Sequence, residues 1–158
     1  MNDRNPERAY IDANVFVEMF EKNSNVSAQL RRLFVHVEET ALSRFTSELT
    51  LAELLVKPMK DRNAKLVEPY TGFMQSGPMM EVVSIDRQML YTAAMTRAED
   101  GSTKLPDAIH VATALERECH WFVTGDRAIK SSPRAITPFQ IIDPFASDFE
   151  QFLEKFGA

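Results

Sequence analysis

Short runs rich in β-branched and aromatic residues alternate along this chain with longer amphipathic stretches, and that alternation constrains the fold more than any other feature. Arg8 to Ile11, Ala41 to Phe45, Glu81 to Ile85, Trp121 to Thr124 and Gln140 to Asp143 read as strands. Between them, Asn14 to Lys22 carries Val15, Met19 and Lys22 at helical spacing. A second helix runs from the Ser24 region through Leu30, Leu33, Phe34 and Val37. SELTLAELLVKP reads as a helix capped by Thr46 or Ser47 and stopped by Pro58. Asp61 to Gln75 reads as another, bent or interrupted at Pro69, and Gly77-Pro78 closes that unit. Helices over Asp86 to Glu99, from near Pro106, and over Phe145 to Phe156 complete the pattern.

Strands that alternate with helices require right-handed crossovers, which give a parallel sheet covered on both faces. The expected class is therefore α/β, with a central parallel sheet of four to five strands flanked by helices. At 158 residues and 44% hydrophobic content, the chain has the size of one domain over 1–158, with a core at about 9–143 and a C-terminal helix at about 145–156.

Several function classes fall away on composition. MNDRNPERAY is polar, and no later apolar run approaches the roughly 20 residues needed to cross a bilayer. The expectation is no membrane association and a cytoplasmic location. Cys119 is the only cysteine, and His36, His110 and His120 lack finger-like spacing, which argues against disulfides and structural zinc. There is no GxSxG elbow, P-loop or GxGxxG. A net charge of -5 argues against a general high-affinity nucleic-acid binder, but not against an enzyme whose carboxylates hold cations.

Four acids carry the chemistry. Asp12 follows the first strand and Asp126 the fourth, and ligands of parallel sheets gather outside the carboxyl ends of strands. Each also reads as an N-cap. Glu53 shares a helix face with Leu49 and Val56 in a segment apolar nearly all round, so its charge needs a partner, whether a lysine, a capping-box Thr50 or a metal. Asp107 follows Pro106 in a first helical turn, where the helix dipole already favours a carboxylate. His110, one turn on, reads as a buried hydrogen-bonded histidine or as a ligand. Carboxylates gathered together repel unless a hard cation neutralises them, and oxygen ligands favour Mg²⁺ or Mn²⁺, ions suited to phosphodiester hydrolysis.

YIDANVF, SELTLAELLVKP, KLPDAIHVATAL and FVTGDRA occur in the order and spacing of the PIN-domain family, which this chain resembles from about Ala9 to Asp143. The resemblance is strongest to bacterial members of the VapC toxin type. It implies a three-layer fold and a Mg²⁺- or Mn²⁺-dependent endoribonuclease with Asp12, Glu53, Asp107 and Asp126 as catalytic and metal-binding residues. It also implies an RNA substrate, a homodimer and a small antitoxin encoded nearby. Ala13 stands where many members have Thr or Ser, and Gly125 where many have Asn, while Thr124 keeps a hydroxyl beside the fourth acid. Thr124, Lys57 and Arg127 are candidate substrate contacts, and Lys60, Arg62 and Lys130 add to the basic border.

Three other readings compete with a toxin. One is a PIN nuclease of RNA processing that has no antitoxin. A dehalogenase-like phosphohydrolase would want an acid where Asn14 stands, and a non-catalytic RNA-binding domain would have lost an acid. Met79-Met80 and the C-terminal phenylalanines read mainly as core filling.

Overall fold

A computed structural model describes residues 6–35, 41–130 and 138–157. In chain order the elements are β1 (Glu7–Ile11), α1 (Ala13–Glu21), α2 (Asn25–Arg32), β2 (Leu42–Ser47), α3 (Glu48–Lys60), α4 (Ala64–Phe73) and β3 (Glu81–Val83). They continue with α5 (Arg87–Glu99), α6 (Leu105–Glu116), β4 (Trp121–Val123), α7 (Arg127–Lys130), β5 (Gln140–Ile142) and α8 (Phe149–Lys155). The strands form one sheet in the order β3-β2-β1-β4-β5, and every pairing is parallel.

Side chains alternate across a strand, so a central strand must feed two cores. In β1, Ala9 and Ile11 enter one apolar cluster with Val15, Phe16 and Leu30, while Tyr10 enters the other with Met89, Ala112 and Phe122. Helices α1 to α4 and α8 contribute to the first layer, and α5 and α6 to the second. The expected three-layer α/β arrangement is the observed one. Alanines 108, 112 and 114 are fully or almost fully buried on α6, and their small side chains allow it to pack closely against its neighbours.

The chain moves outward from β1 to β2 and β3, then returns to the other side of β1 to lay down β4 and β5. That reversal creates a crevice between the carboxyl ends of β1 and β4, the usual binding position in such sheets.

Several boundaries differ from the sequence reading. Pro58 does not stop its helix: α3 continues to Lys60 with Pro58 buried inside it. The helix bonds nevertheless resume past it, where Asp61 N–H reaches the Lys57 carbonyl at 2.9 Å. The next helix starts at Ala64 rather than Asp61, because Arg62 adopts φ 53° in the intervening turn, and it continues through Pro69 to Phe73. Strand β2 runs on to Ser47, which makes Thr46 a strand residue whose hydroxyl bonds the Ile11 carbonyl at 2.9 Å rather than a cap. Ser47 holds the N-cap position of α3 without a side-chain cap bond. Strands β3 and β5 are shorter than expected, and α8 begins at Phe149 because 145–148 form turns. The second helix ends at Arg32, and Val37 lies outside the described residues. Met80 and Phe149, Phe152 and Phe156 are core residues as expected, whereas Met79 is exposed.

Phe122 is fully buried on β4 and stacks on Tyr10 and Phe139 at centroid separations of 4.9 and 5.1 Å. Phe122→Ala is expected to cost about 3–5 kcal/mol in urea unfolding, and Val56→Ala, on the exposed face of α3, less than about 0.5 kcal/mol.

Candidate active site

Asp12 leaves β1 with its backbone N–H bonded to the Val123 carbonyl at 3.1 Å, which extends the β1–β4 pairing by one residue. The residue is 4% exposed, and its side chain turns into the crevice. Oδ1 accepts the Ala13 N–H at 2.7 Å, and Oδ2 accepts Asn14 Nδ2 at 2.5 Å and the Thr124 hydroxyl at 2.6 Å. Asn14 Oδ1 accepts the Gly125 N–H at 2.8 Å, and Thr124 Oγ1 accepts the Asp126 N–H at 2.9 Å. The ends of β1 and β4 are thus stitched together through side chains. Burial pushes the Asp12 carboxyl above the usual carboxylate range, against the opposing pull of His110, Thr124 and the Ala13 N–H.

Glu53 approaches from α3, and its partner is His110 rather than a lysine or a capping threonine. Glu53 Oε2 lies 2.8 Å from His110 Nε2, and the Tyr10 hydroxyl lies 2.6 Å from Nδ1 on the other side of the ring. His110 is buried, with Nε2 also 3.8 Å from Asp12 Oδ1. Burial opposes its positive charge, but the Glu53 hydrogen bond and the charges of Asp12, Glu53 and Asp107 outweigh it and raise the imidazole pKa. Tyr10, in turn, is pushed well above the ordinary phenol range by burial. Val56, expected on the same face as Glu53, is 67% exposed, so α3 is less enclosed than its composition suggests.

Asp107 sits in the first turn of α6 and Asp126 directly after β4, where Asp126 Oδ1 also accepts the Ala128 N–H at 2.7 Å. The capping readings of Asp12 and Asp126 are therefore geometrically correct as well, since Asp12 caps α1. Asp107 has its carboxyl raised by burial and by the charges of Asp126 and Asp12. Asp12, Glu53, Asp107 and Asp126 all line a single cavity of about 230 Å³, together with Asn14 and His110.

The other candidates are placed differently. Thr124 is fully buried with its hydroxyl given to Asp12, so it positions a carboxylate instead of facing the cavity. Lys57 and Arg127 are exposed outside the cavity lining, and Lys57 pairs with Asp61 at 3.1 Å. Lys60 and Arg62 are also exposed. Asn14 and Tyr10 were not legible as site residues. Asn14 entered the sequence argument only as the residue that is not an acid, yet it contacts three groups of the site.

The donors suit a hard divalent cation in kind: oxygen atoms from carboxylates whose mutual repulsion already raises the Asp107 pKa. Among the described residues, however, no three acidic, histidine or cysteine groups converge closely enough to form a ready cation cage. The Glu53–His110 bond holds one of the four carboxylates on the imidazole.

A parallel three-layer sheet with four carboxylates at its switch point defines an acidic-cleft α/β protein. The PIN-domain sequence model matches residues 9–134, and the chain belongs to the PIN-domain family. No curated protein sequence is a significant match. Among solved structures, VapBC2 from Rickettsia felis bound to a promoter DNA fragment gives TM-score 0.63 at 13% identity over 86% of this chain and 98% of that one. FitAcB from Neisseria gonorrhoeae gives 0.62 at 17% identity over 87% and 98%, respectively. VapC20 from Mycobacterium tuberculosis, a toxin that cleaves the sarcin-ricin loop, gives 0.62 at 12% identity over 78% and 93%. At these identities, the likeness establishes the fold.

The raised Asp107 carboxyl means that the folded chain binds this proton more tightly than the unfolded chain. Stability from this group is full at low pH and lost as pH rises from the ordinary carboxylate value through the raised one. Metal-free Asp107→Asn is therefore expected to melt at or above the wild type at pH 7, with the difference closing in acid. If Asp107 served only the helix dipole, the variant would instead lose roughly 0.3–1 kcal/mol.

Proposed function

We propose that this chain is a Mg²⁺- or Mn²⁺-dependent endoribonuclease of the toxin type. The observation that carries this reading is the convergence of Asp12, Glu53, Asp107 and Asp126, from four separate stretches of chain, on one cavity at the switch point. A structural origin explains each acid singly, but not their shared destination.

Asp12, Asp107 and Asp126 would hold the cation. A cation of this class acidifies water and neutralises charge on a phosphate under in-line attack. Asp12 enters this role with its orientation fixed by Ala13, Asn14 and Thr124, which leaves little reorganisation for binding. Glu53, partly exposed and oriented by His110, either joins the ligands or accepts the proton that the attacking water loses. Water adds to phosphorus and one bridging P–O bond breaks. Lys57 and Arg127, exposed outside the cavity lining, would meet neighbouring phosphates of a longer strand.

RNA is preferred over DNA on family resemblance, since carboxylate chemistry would hydrolyse either backbone. The solved neighbours include toxin–antitoxin complexes, such as one from Klebsiella pneumoniae. That supports a small antitoxin as partner here, an inhibitor suited to placing an Arg or Lys side chain in the acidic cavity. By the same resemblance the chain forms a homodimer and works in the cytoplasm. No helix among the described residues is long and apolar enough to cross a membrane.

Protein freed of any inhibitor is expected to cleave single-stranded or looped RNA with Mg²⁺ or Mn²⁺ and to stop in EDTA; cleavage that survives EDTA would exclude this mechanism. Mn²⁺ should raise the melting temperature of the wild type and not of Asp107→Asn, because a lost ligand removes the binding linkage. A Lys57→Ala and Arg127→Ala double variant should flatten the salt dependence of RNA binding by roughly 1.4 logarithmic units per decade, two contacts at about 0.7 each. An unchanged slope would return both residues to the solvated surface.

A further inference from the structure

Beside the acidic cavity lies a second hollow of about 360 Å³, lined by Asn14, Val17, Glu18, Gly125, Asp126 and Phe145. It shares Asn14, Val17 and Asp126 with the cavity, so the two adjoin. Phe145 is 59% exposed, unlike the phenylalanines of α8, which are buried in the core. Its backbone N–H is bonded to Asp143 Oδ1 at 3.0 Å, which fixes the turn that carries it. The ring edge lies against Gly125: a Cβ there would stand 2.8 Å from Phe145 Cε2 and 3.3 Å from Cδ2. Glycine at 125 is what lets the ring settle beside the fourth acid.

We propose that Phe145, seated on Gly125, is a stacking platform for the nucleobase next to the cleaved phosphate. The inference rests on the nuclease reading of the adjoining cavity. An aromatic ring held at the mouth of a phosphodiester-cleaving site offers a π-face to any splayed base, and single-stranded nucleic acids are held in this way. The lining favours a base over a phosphate. None of its six residues is cationic, and Glu18 adds a carboxylate acceptor that suits the amino edge of a base. The volume lies at the small end of the range for ligand pockets, enough for one planar ring system. Gly125, where the sequence departs from the common family pattern, thereby acquires a purpose.

The test starts from an end-labelled single-stranded RNA of mixed sequence, on which the bond cut by the full-length wild type is mapped. Steady-state cleavage of one such oligonucleotide is then compared for wild type, Phe145→Ala, Phe145→Leu, Phe145→Trp and Gly125→Ala. Phe145→Ala should raise KM about 5- to 150-fold with little change in kcat, and Phe145→Trp should stay near the wild type. Phe145→Leu, apolar without a π-face, should resemble Ala, and Gly125→Ala should raise KM by pushing the ring aside. An abasic nucleotide at one position flanking the cut should raise the wild-type KM equally, and add nothing in Phe145→Ala.

Unchanged KM in Phe145→Ala, or a full abasic penalty in that variant, overturns the platform while leaving the nuclease reading intact. A variant that keeps its KM but loses self-association assigns the ring to a protein interface and equally overturns it. If the wild type cleaves no RNA under any divalent cation, the nuclease reading fails first and the platform with it.

Discussion

Everything in the crevice depends on one buried carboxylate. Asp12 is almost wholly removed from water, which disfavours its charge, and three donors within 2.7 Å recover part of the lost solvation. Hydrogen bonds to an ionised group contribute roughly 1.5–3 kcal/mol each, so this small network offsets much of a desolvation penalty of several kcal/mol, although burial still prevails. Two of the donors come from α1 or its start and the third from the end of β4. The same atoms that hold the charge therefore hold the two halves of the sheet in register at their carboxyl ends, and structural and chemical demands on Asp12 cannot be separated.

The opposite side of the cavity is governed from a different layer. His110 rises from the interior of α6, takes Tyr10 from the underside of the sheet on one nitrogen and presents the other to Glu53. Glu53 is in this way oriented by two residues of the second apolar cluster or its border, although α3 itself packs on the first. The position of one acid reports on packing across the whole thickness of the molecule. An α6 built from small buried residues suits that task, because it leaves little room for the imidazole to change its place.

The order of elements and the rim on which the acids meet were legible in the sequence because both follow from periodicity and topology alone. Asp12 and Asp126 could be paired from the rule that parallel strands present their carboxyl ends together. The hydrogen-bonding partners could not. Asn14 and Tyr10 look, in one dimension, like a first-turn residue and a strand aromatic, and nothing local says that β4 returns beside them. Thr124 was legible as a neighbour of the fourth acid, but its burial depends on a strand pairing formed more than a hundred residues away in sequence. The reading of Pro58 as a helix stop fails for a related reason. A proline's local cost is real, yet Pro58 lies buried inside α3, in packing that its neighbours in sequence do not reveal. Phe145 reads in the sequence as the start of the C-terminal helix, because composition does not reveal that the helix starts four residues later.

The strand order also fixes when the molecule becomes complete. Strand β1, made first, is flanked on one side by β2 and on the other by β4, which is made late. Until Trp121 to Asp126 have left the ribosome, one edge of β1 is bare, Asp12 lacks Thr124, and the fourth acid is absent from the crevice. A partly synthesised chain holds the first three acids but no finished cavity. For a protein proposed to cut RNA, the strand order makes the acidic crevice the product of two distant stretches of chain, complete only once Asp126 has joined Asp12.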